Sequence, residues 1–214
     1  MTERRPQEIV AAGYDQVAER YLAWSPGRPS GARHRVLELA DGTIPRGADV
    51  LELGCGAGLP MTATLARGRR VTGVDISATQ IALASRNVPA ATFLQADYTT
   101  LECPPASLDA VVAFYSLTHV PRTELAPLLG RIRTWLRPGG TFLASFGVED
   151  DPGTIEDDWL GVPMYFSHFS ARANRRLVEA AGFAIDWAEI LTEPADRFDA
   201  RFLWILAHVP ETPR

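Results

Sequence analysis

The stretch that decides the fold is VLELGCGAG, residues 50–58, together with VTGVD, residues 71–75. The first is a short apolar run that ends in glycines at every second position. Such a run is typical of a buried strand followed by a tight turn, where the backbone comes close to a ligand. The second predicts another buried strand, and it ends in the carboxylate of Asp75, about 20 residues after the glycines. A carboxylate at that spacing can accept hydrogen bonds from both hydroxyls of a ribose, so the sequence predicts a site for an adenosine-containing ligand.

The glycine spacing separates the candidate ligands. A dinucleotide-binding loop has the pattern G-x-G-x-x-G, and here Leu59 stands at the third glycine position. A phosphate-binding P-loop needs a lysine, and all 21 basic residues of this chain are arginine. The remaining pattern, G-x-G-x-G at residues 54–58 preceded by Glu52, resembles the first motif of the class I S-adenosylmethionine-dependent methyltransferases. On the glycines alone, an ordinary strand-to-helix turn stays open as an alternative.

Three further segments resemble landmarks of the same family, in the same order. QADY at 95–98 follows a strand-like segment, LDAVVAF at 108–114 resembles the fourth strand, and WLRPGG at 135–140 resembles the turn into the fifth. The resemblance covers about residues 45–146. It implies a Rossmann-like, doubly wound α/β fold with helices on both faces of a mostly parallel seven-stranded sheet, whose last strand is antiparallel.

The resemblance also implies a cofactor and the residues that hold it. The cofactor would be S-adenosyl-L-methionine, with S-adenosyl-L-homocysteine as the product. Glu52 would hold its amino group directly or through water, Asp75 its ribose, and Asp97 with Tyr98 its adenine. The other residues expected around the cofactor are Tyr14, Gly54, Cys55, Gly56, Gly58, Ile76 and Phe114.

Composition excludes several other classes of protein. At 214 residues and 46% hydrophobic, the chain can bury one sizeable core. A net charge of -5 argues against nucleic acid as a partner, although a local basic patch around residues 67–70 stays open. No apolar run approaches the roughly 18 residues of a membrane span, and the charged N-terminus does not resemble a signal peptide. Two distant cysteines form no zinc motif. We therefore expect a cytoplasmic protein without a metal site.

The alternation of strand and helix patterns predicts one methyltransferase domain. Helices are predicted at residues 7–21 and 31–40, before the glycine loop. Ser77 and Gln80 have the spacing of a capping box, which predicts a helix to about residue 87. The predicted parts of the domain are lid helices at 1–44, a cofactor-binding core at 45–146, a substrate-side insertion at 147–170, and a C-terminal helix with strands at 171–214.

The N-terminal helix is one of two segments expected to select the acceptor. Resembling enzymes fold such a helix over the cleft as a lid, which would bring Tyr14 and Tyr21 near the cofactor. The simpler alternative is a packing stripe, because Val10, Tyr14, Val17 and Tyr21 recur at intervals of three and four residues.

The second such segment is the insertion. It is acidic at 149–151 and 156–158 and aromatic at 159–169. Rings with a few polar groups suit a small-molecule pocket, although an aromatic cluster can equally be a satellite core under a long loop. Arg28, Arg122 and the acidic cluster could each attract a charged acceptor.

Candidates for a general base lie in the insertion and at two other places in the chain. His168 in the aromatic insertion is the preferred base, with Tyr165 one helical turn away if that segment is helical. His119, just past the predicted fourth strand, is the second candidate and could instead only bridge loops. Glu193 is an outside candidate on the far side of the sheet. A base is needed only when the acceptor must lose a proton.

The predicted function is transfer of a methyl group to oxygen or nitrogen of a small molecule, such as a specialised metabolite. Two alternatives remain open. The same fold could use the cofactor in a reaction other than methylation, a cyclisation or a decarboxylation, or it could bind the cofactor without catalysis.

Overall fold

The computed structural model describes residues 4–24, 31–193 and 199–211. In the described residues the helices are α1 (Pro6–Trp24), α2 (Gly31–Thr43), α3 (Met61–Leu65), α4 (Ala78–Asn87), α5 (Arg122–Trp135) and α6 (Ala171–Ala180), with a 3₁₀ turn at Leu117–His119. The strands are β1 (Asp49–Leu53), β2 (Arg70–Asp75), β3 (Thr92–Gln95), β4 (Leu108–Ala113), β5 (Leu136–Phe146), β6 (Asp151–Trp159), β7 (Val162–His168), β8 (Ala184–Glu193) and β9 (Ala200–His208).

Seven of these strands form one twisted sheet in the order β3-β2-β1-β4-β5-β9-β8. The first five are parallel, and β9 runs antiparallel to both of its neighbours, β5 and β8. This confirms the predicted seven-stranded, doubly wound sheet with an antiparallel last strand. The strand order reverses between β1 and β4, and ligands of open α/β sheets bind at such a point, outside the carboxyl ends of the strands.

The central strands are apolar on both sides because helices cover both faces of the sheet. Leu51, Leu53 and Val111 pack in one buried cluster with residues of α5 and α6. Val50 and Val112, which point the other way, pack in a second cluster with residues of α2 and α3. Parallel strands buried on both faces read as continuous apolar runs, which is the pattern that the sequence shows.

The insertion forms a β-hairpin, in which β6 pairs with β7 as a separate two-stranded sheet. Its helical interpretation is therefore wrong: Tyr165 and His168 lie on a strand three residues apart, and side chains at odd spacing point to opposite faces. The two-residue turn consists of Leu160 and Gly161, both with positive φ (51° and 87°). That is the backbone of a type I′ turn, which suits the right-handed twist of a hairpin.

Helix α1 lies against the hairpin and across the carboxyl edge of the sheet. Val10 of α1 packs with Met164 and Tyr165 of β7 in a small buried cluster. At Gly13, a Cβ atom would stand 3.1 Å from the carbonyl oxygen of Pro163 and 2.7 Å from Met164 Cε, so α1 and β7 approach closely there. Helix α1 extends beyond the predicted residues 7–21, and α2 extends beyond 31–40.

Candidate active site

Two adjoining cavities open at the carboxyl edge of the sheet. The first lies over β2, β4 and the 3₁₀ turn, and the second lies under the glycine loop. They share Tyr21, Gly54, Gly56, Phe114 and Tyr115, so they form one cleft. Every residue predicted to contact the cofactor lines one or both cavities except Gly58. Glu52 and Cys55 line only the second cavity, whereas Tyr14, Asp75, Ile76, Asp97 and Tyr98 line only the first.

The glycine loop brings backbone directly against the turn that follows β4. Gly54 has φ +75°, and a Cβ atom there would overlap the side chain of Ser116. Ser116 Oγ donates to the carbonyl of Leu53 at 2.7 Å, which fixes this close approach. Gly58 has another role, since a Cβ atom there would stand 3.0 Å from Val88 Cγ2, next to α4. Gly54 and Gly56 therefore shape the cleft, and Gly58 allows the loop to pack on α4.

Asp75 lies at the end of β2 with both carboxylate oxygens oriented by backbone amides. Its Oδ2 accepts from the amide of Gly56 and its Oδ1 from the amide of Ser77, each at 2.9 Å. Burial raises the pKa of Asp75 to about 6, against the lowering effect of these hydrogen bonds, and the charge of Asp15 raises it further. Each oxygen keeps acceptor capacity for a ligand. The side chain can therefore accept hydrogen bonds from two ligand hydroxyls.

Glu52 is a buried acid at the second cavity. Burial raises the pKa of Glu52 to about 8, against the lowering effect of a hydrogen bond from Thr62 Oγ1 at 2.6 Å. Arg33 of α2 lines the same cavity, with its guanidinium 5.4 Å from the centre of the Tyr115 ring. Sequence reasoning missed Arg33, because it lies in a helix outside any motif. An acid and a base that line one cavity can together hold an amino acid group.

Residues 97–99 form part of the lining of the first cavity. Asp97 Oδ1 accepts from the amide of Thr99 at 2.9 Å and from its hydroxyl at 2.7 Å, which rigidifies this turn. The Tyr98 hydroxyl donates to the carbonyl of Ser116 at 3.0 Å, and burial raises the pKa of Tyr98. The ring of Tyr98 is thus fixed as a flat wall of the cavity.

His119 lies in the first cavity, with both ring nitrogens engaged. Its Nδ1 donates to the carbonyl of Tyr165 at 2.8 Å, since a carbonyl can only accept. Its Nε2 is then the acceptor for the Tyr14 hydroxyl at 2.9 Å. Burial lowers the pKa of His119 to about 4, so the ring is neutral at pH 7. In this arrangement His119 connects α1 to β7, and neither nitrogen is open to an acceptor molecule.

The other predicted base candidates do not line either cavity. His168 Nδ1 donates to the carbonyl of Glu149 at 2.6 Å, and the ring packs on Gly147. Tyr165 packs with α1, and its part in the site is the carbonyl that orients His119. The structure therefore does not bring the side chains of His168 and Tyr165 to the cleft, since neither residue lines either cavity.

Arg122, which was proposed to attract a charged acceptor, lines neither cavity. Arg122 donates to the carbonyl of His168 and pairs with Asp150 at 2.7 Å, so it fastens the hairpin to α5. Arg28 lies outside the described residues.

Glu193 reaches the cleft through Tyr115. The Tyr115 hydroxyl donates to Glu193 Oε1 at 2.6 Å, and burial followed by the Glu193 charge raises the pKa of this tyrosine. Tyr115 has φ +60°, which is uncommon for a bulky residue and typical of functional sites. Its ring packs edge-on against Phe202 and Trp204. Sequence reasoning placed Glu193 on the far side of the sheet, whereas Tyr115 connects it to both cavities.

Helix α1 forms the roof of the first cavity. Asp15 Oδ1 accepts from the Ser77 hydroxyl at 2.6 Å and from the Thr79 amide at 3.0 Å, which fastens α1 to the start of α4. Gln7 Nε2 donates to Glu124 Oε1 at 2.9 Å, which fastens the same helix to α5. The helix contributes Gln7, Val10, Tyr14 and Tyr21 to the lining.

Two further features are absent from residues 4–24, 31–193 and 199–211. No group of three His, Cys, Asp or Glu side chains there is arranged to hold a metal ion. None of the helices there has the length and apolar character that crossing a membrane requires.

Comparison with known sequences identifies the same region of the chain. A family model described as a methyltransferase domain matches residues 50–140. A probable S-adenosylmethionine-dependent methyltransferase of Mycolicibacterium smegmatis is 32% identical over 142 residues, which is 65% of this chain and 53% of that protein. An S-adenosyl-L-methionine-dependent Diels-Alderase of Talaromyces variabilis is 35% identical over 144 residues, 63% of this chain and 48% of that protein. The chain thus spans about half the length of these curated relatives.

Solved structures match over nearly the whole chain. The complex of DhpI with SAH has a TM-score of 0.77 and 26% sequence identity, and the match covers 100% of both chains. The 1,6-didemethyltoxoflavin-N1-methyltransferase of Burkholderia thailandensis has a TM-score of 0.73 at 21% identity, covering 99% of this chain and 93% of that one. At that identity the second match speaks for the fold alone.

Proposed function

Because the chain belongs to the class I S-adenosylmethionine-dependent methyltransferases, we propose that it transfers a methyl group to oxygen or nitrogen of a small molecule. One observation carries the proposal. Glu52 lies on β1, Asp75 ends β2 and Asp97 follows β3, and these three strands are neighbours in that order in the sheet. Arg33 lines the same cavity as Glu52. S-adenosyl-L-methionine, the family's cofactor, has its amino acid, ribose and adenine in the same order.

The residues present fit that cofactor. Glu52 would accept from its ammonium group and Arg33 would pair with its carboxylate. Asp75 would accept from the ribose hydroxyls, with Ile76 and Tyr98 beside the adenine and Asp97 at its amino group. The backbone of Gly54 and Gly56 would lie against the middle of the molecule, where no side chain intervenes.

The bound cofactor supplies a methyl group on a positively charged sulfur, which is its own leaving group. The chain's part is therefore to align the acceptor atom and to keep water out. Alignment of two reactants can contribute roughly 7–11 kcal/mol. We assign the exclusion of water to α1, whose residues Tyr14 and Tyr21 line the first cavity.

His119 is proposed as a positioning residue and not as the direct base. Its two nitrogens are used by Tyr14 and by the Tyr165 carbonyl. By accepting a hydrogen bond from the Tyr14 hydroxyl, His119 would hold the Tyr14 ring over the reacting atoms. An acceptor that carries a lone pair at neutral pH would need no base at all.

The lining of the cleft supports a small acceptor. The first cavity is lined by aromatic and apolar side chains with a few polar groups, which suits a small molecule. Both cysteines are free thiols, which fits a reducing compartment such as the cytoplasm.

A second candidate function is a cyclisation that the cofactor assists without losing its methyl group. It is favoured by one observation, the relative of Talaromyces variabilis named as a Diels-Alderase. The two functions differ in their products, since only methyl transfer consumes the cofactor.

The first experiment is calorimetric titration with S-adenosyl-L-methionine and S-adenosyl-L-homocysteine, with NAD as the control ligand. We expect micromolar binding of the first two and none of NAD. The protein is then incubated with S-adenosyl-L-methionine and small phenols, enols, carboxylic acids and amines, and S-adenosyl-L-homocysteine is quantified by mass spectrometry. Its formation in equal amount with a methylated product supports the proposal. Substrate turnover without it would establish the cyclisation, and binding of NAD alone would contradict both.

A further inference from the structure

Gln80 is a buried polar residue whose side chain has no partner in the described part of the chain. It lies in the first turn of α4, is only 1% exposed and lines the first cavity. Neither amide atom, Nε2 nor Oε1, makes a hydrogen bond to any described residue. A buried amide left unpaired costs roughly 1–3 kcal/mol, and a ligand that pairs with it in the first cavity would remove that cost.

The local sequence explains why this amide is available. In a capping box, the side chain of the fourth residue reaches back to the amide of the first. Here Ser77 Oγ accepts from the Gln80 amide at 3.1 Å, which is one half of the box. The other half is absent, because the Ser77 amide donates to Asp75 Oδ1 instead. The carboxylate of Asp75 thus takes the place of the Gln80 side chain as the acceptor for the Ser77 amide. The Gln80 side chain lines the cavity instead.

The position of the amide indicates which part of the cofactor it meets. Gln80 Oε1 lies 3.9 Å from the place of a Cβ atom on Gly56, and the Gly56 amide donates to Asp75. The amide therefore lies beside the carboxylate proposed to hold the ribose. A ribose diol has two hydroxyl donors and also oxygen acceptors, and an ionised carboxylate can only accept. A donor is needed to pair with the ribose oxygens.

We propose that Gln80 is a second ribose ligand beside Asp75, with its Nε2 donating to a ribose oxygen and its Oε1 accepting from a hydroxyl. This inference rests on the proposed function, because it takes the cofactor from there. It adds a residue that selects for an intact diol. A cofactor analogue without one of the two hydroxyls would leave part of the Gln80 amide unpaired in the complex.

The test uses Gln80→Met, which removes both polar atoms at similar volume. The ligands are S-adenosyl-L-homocysteine, 5′-methylthioadenosine and the 2′-deoxy and 3′-deoxy forms of the latter, titrated calorimetrically. We expect Gln80→Met to lower the affinity for S-adenosyl-L-homocysteine and for 5′-methylthioadenosine by about 5- to 20-fold each. One of the two deoxy ligands lacks the ribose hydroxyl that pairs with Gln80. Loss of that hydroxyl should weaken binding to Gln80→Met much less than binding to the parent protein. Without ligand the variant should melt at a higher temperature, because it no longer buries an unpaired amide.

The matched control is Gln16→Met, at an exposed glutamine of α1 whose side chain bonds to the carbonyl of Ala12. It should leave every affinity unchanged. Binding of Gln80→Met within twofold of the parent would overturn the inference, and so would a lower melting temperature of the ligand-free variant. Weaker binding of S-adenosyl-L-homocysteine alone would assign the amide to the amino acid part and overturn the ribose assignment. If the parent protein bound none of the ligands, the proposed function would fail first, and the inference with it.

Discussion

At the scale of single residues, the cleft is dominated by two buried acids. Both Glu52 and Asp75 have pKa values raised by burial, to about 8 and about 6. Such a pKa means that the folded protein binds a proton more tightly than the unfolded chain. The stabilising effect of that proton is present below a pH of about 4 and is lost as the pH rises through 6 and then 8. The two acids therefore lower the stability of the ligand-free protein when they ionise, and their ionised forms are the ones proposed to bind the ligand. Shifted pKa values of this kind are expected of functional groups.

Replacement of Asp75 by alanine tests the ribose assignment. The change removes charge-assisted hydrogen bonds worth about 1.5–3 kcal/mol, so affinity for S-adenosyl-L-homocysteine should fall at least about tenfold. Calorimetric titration measures it. Asp157→Ala, at an exposed position of β6, is the matched control and should bind like the parent. Unchanged affinity in a folded Asp75→Ala protein would show that the ribose lies elsewhere.

Glu52 should make cofactor binding pH-dependent. Below pH 8 the free protein carries a protonated Glu52, whereas a bound ammonium group favours the ionised form. Binding should therefore release a proton, and affinity should rise from pH 6 to pH 8 by up to about tenfold per pH unit. Calorimetry in two buffers of different ionisation enthalpy counts the released proton. In Glu52→Gln this release should disappear, and proton uptake on binding to the parent protein would contradict the assignment.

At the scale of elements, the site depends on how α1 and the hairpin are held to the sheet. Asp15 fastens α1 to α4, and His119 joins α1 to β7. Sequence reasoning recognised α1 but not the hairpin. The usual signal of a type I′ turn is Asn-Gly or Asp-Gly, and here Leu160 takes the first position with positive φ. The aromatic run of β7 is compatible with both a helix and a strand, because a short apolar run does not show whether its side chains repeat with the period of a helix or of a strand.

The hydroxyl of Tyr14 should control how firmly α1 is held. Tyr14→Phe removes the donor to His119 but keeps the ring, so we expect a loss of about 0.5–1.5 kcal/mol in stability. Amide hydrogen exchange of residues 6–24 should become several-fold faster. Tyr98→Phe is the comparison, since its hydroxyl bonds to the Ser116 carbonyl and not to α1. It should lower stability to a similar degree without changing exchange in α1. Equal exchange in both variants would refute the role of this bond.

At the scale of the whole molecule, the sheet and most of the residues that line the cleft were predictable, whereas the contacts between distant residues around it were not. The glycine loop and the apolar strands follow from backbone sterics and burial, which are local properties that a single sequence carries. The connections Tyr115–Glu193 and Tyr14–His119 join residues 78 and 105 positions apart, and no local pattern encodes them. Arg33 was missed for the same reason, because α2 brings it to the second cavity only in the folded chain.

The roof formed by α1 has a kinetic consequence. If methyl transfer takes place beneath a helix fastened at Gln7, Tyr14 and Asp15, we expect those bonds to slow the departure of the spent cofactor. Chemistry would then be followed by a slower release step. We expect rapid mixing with an acceptor in excess to show a burst of about one product per protein molecule, followed by a slower steady rate. In Tyr14→Phe the steady rate should approach that of the burst.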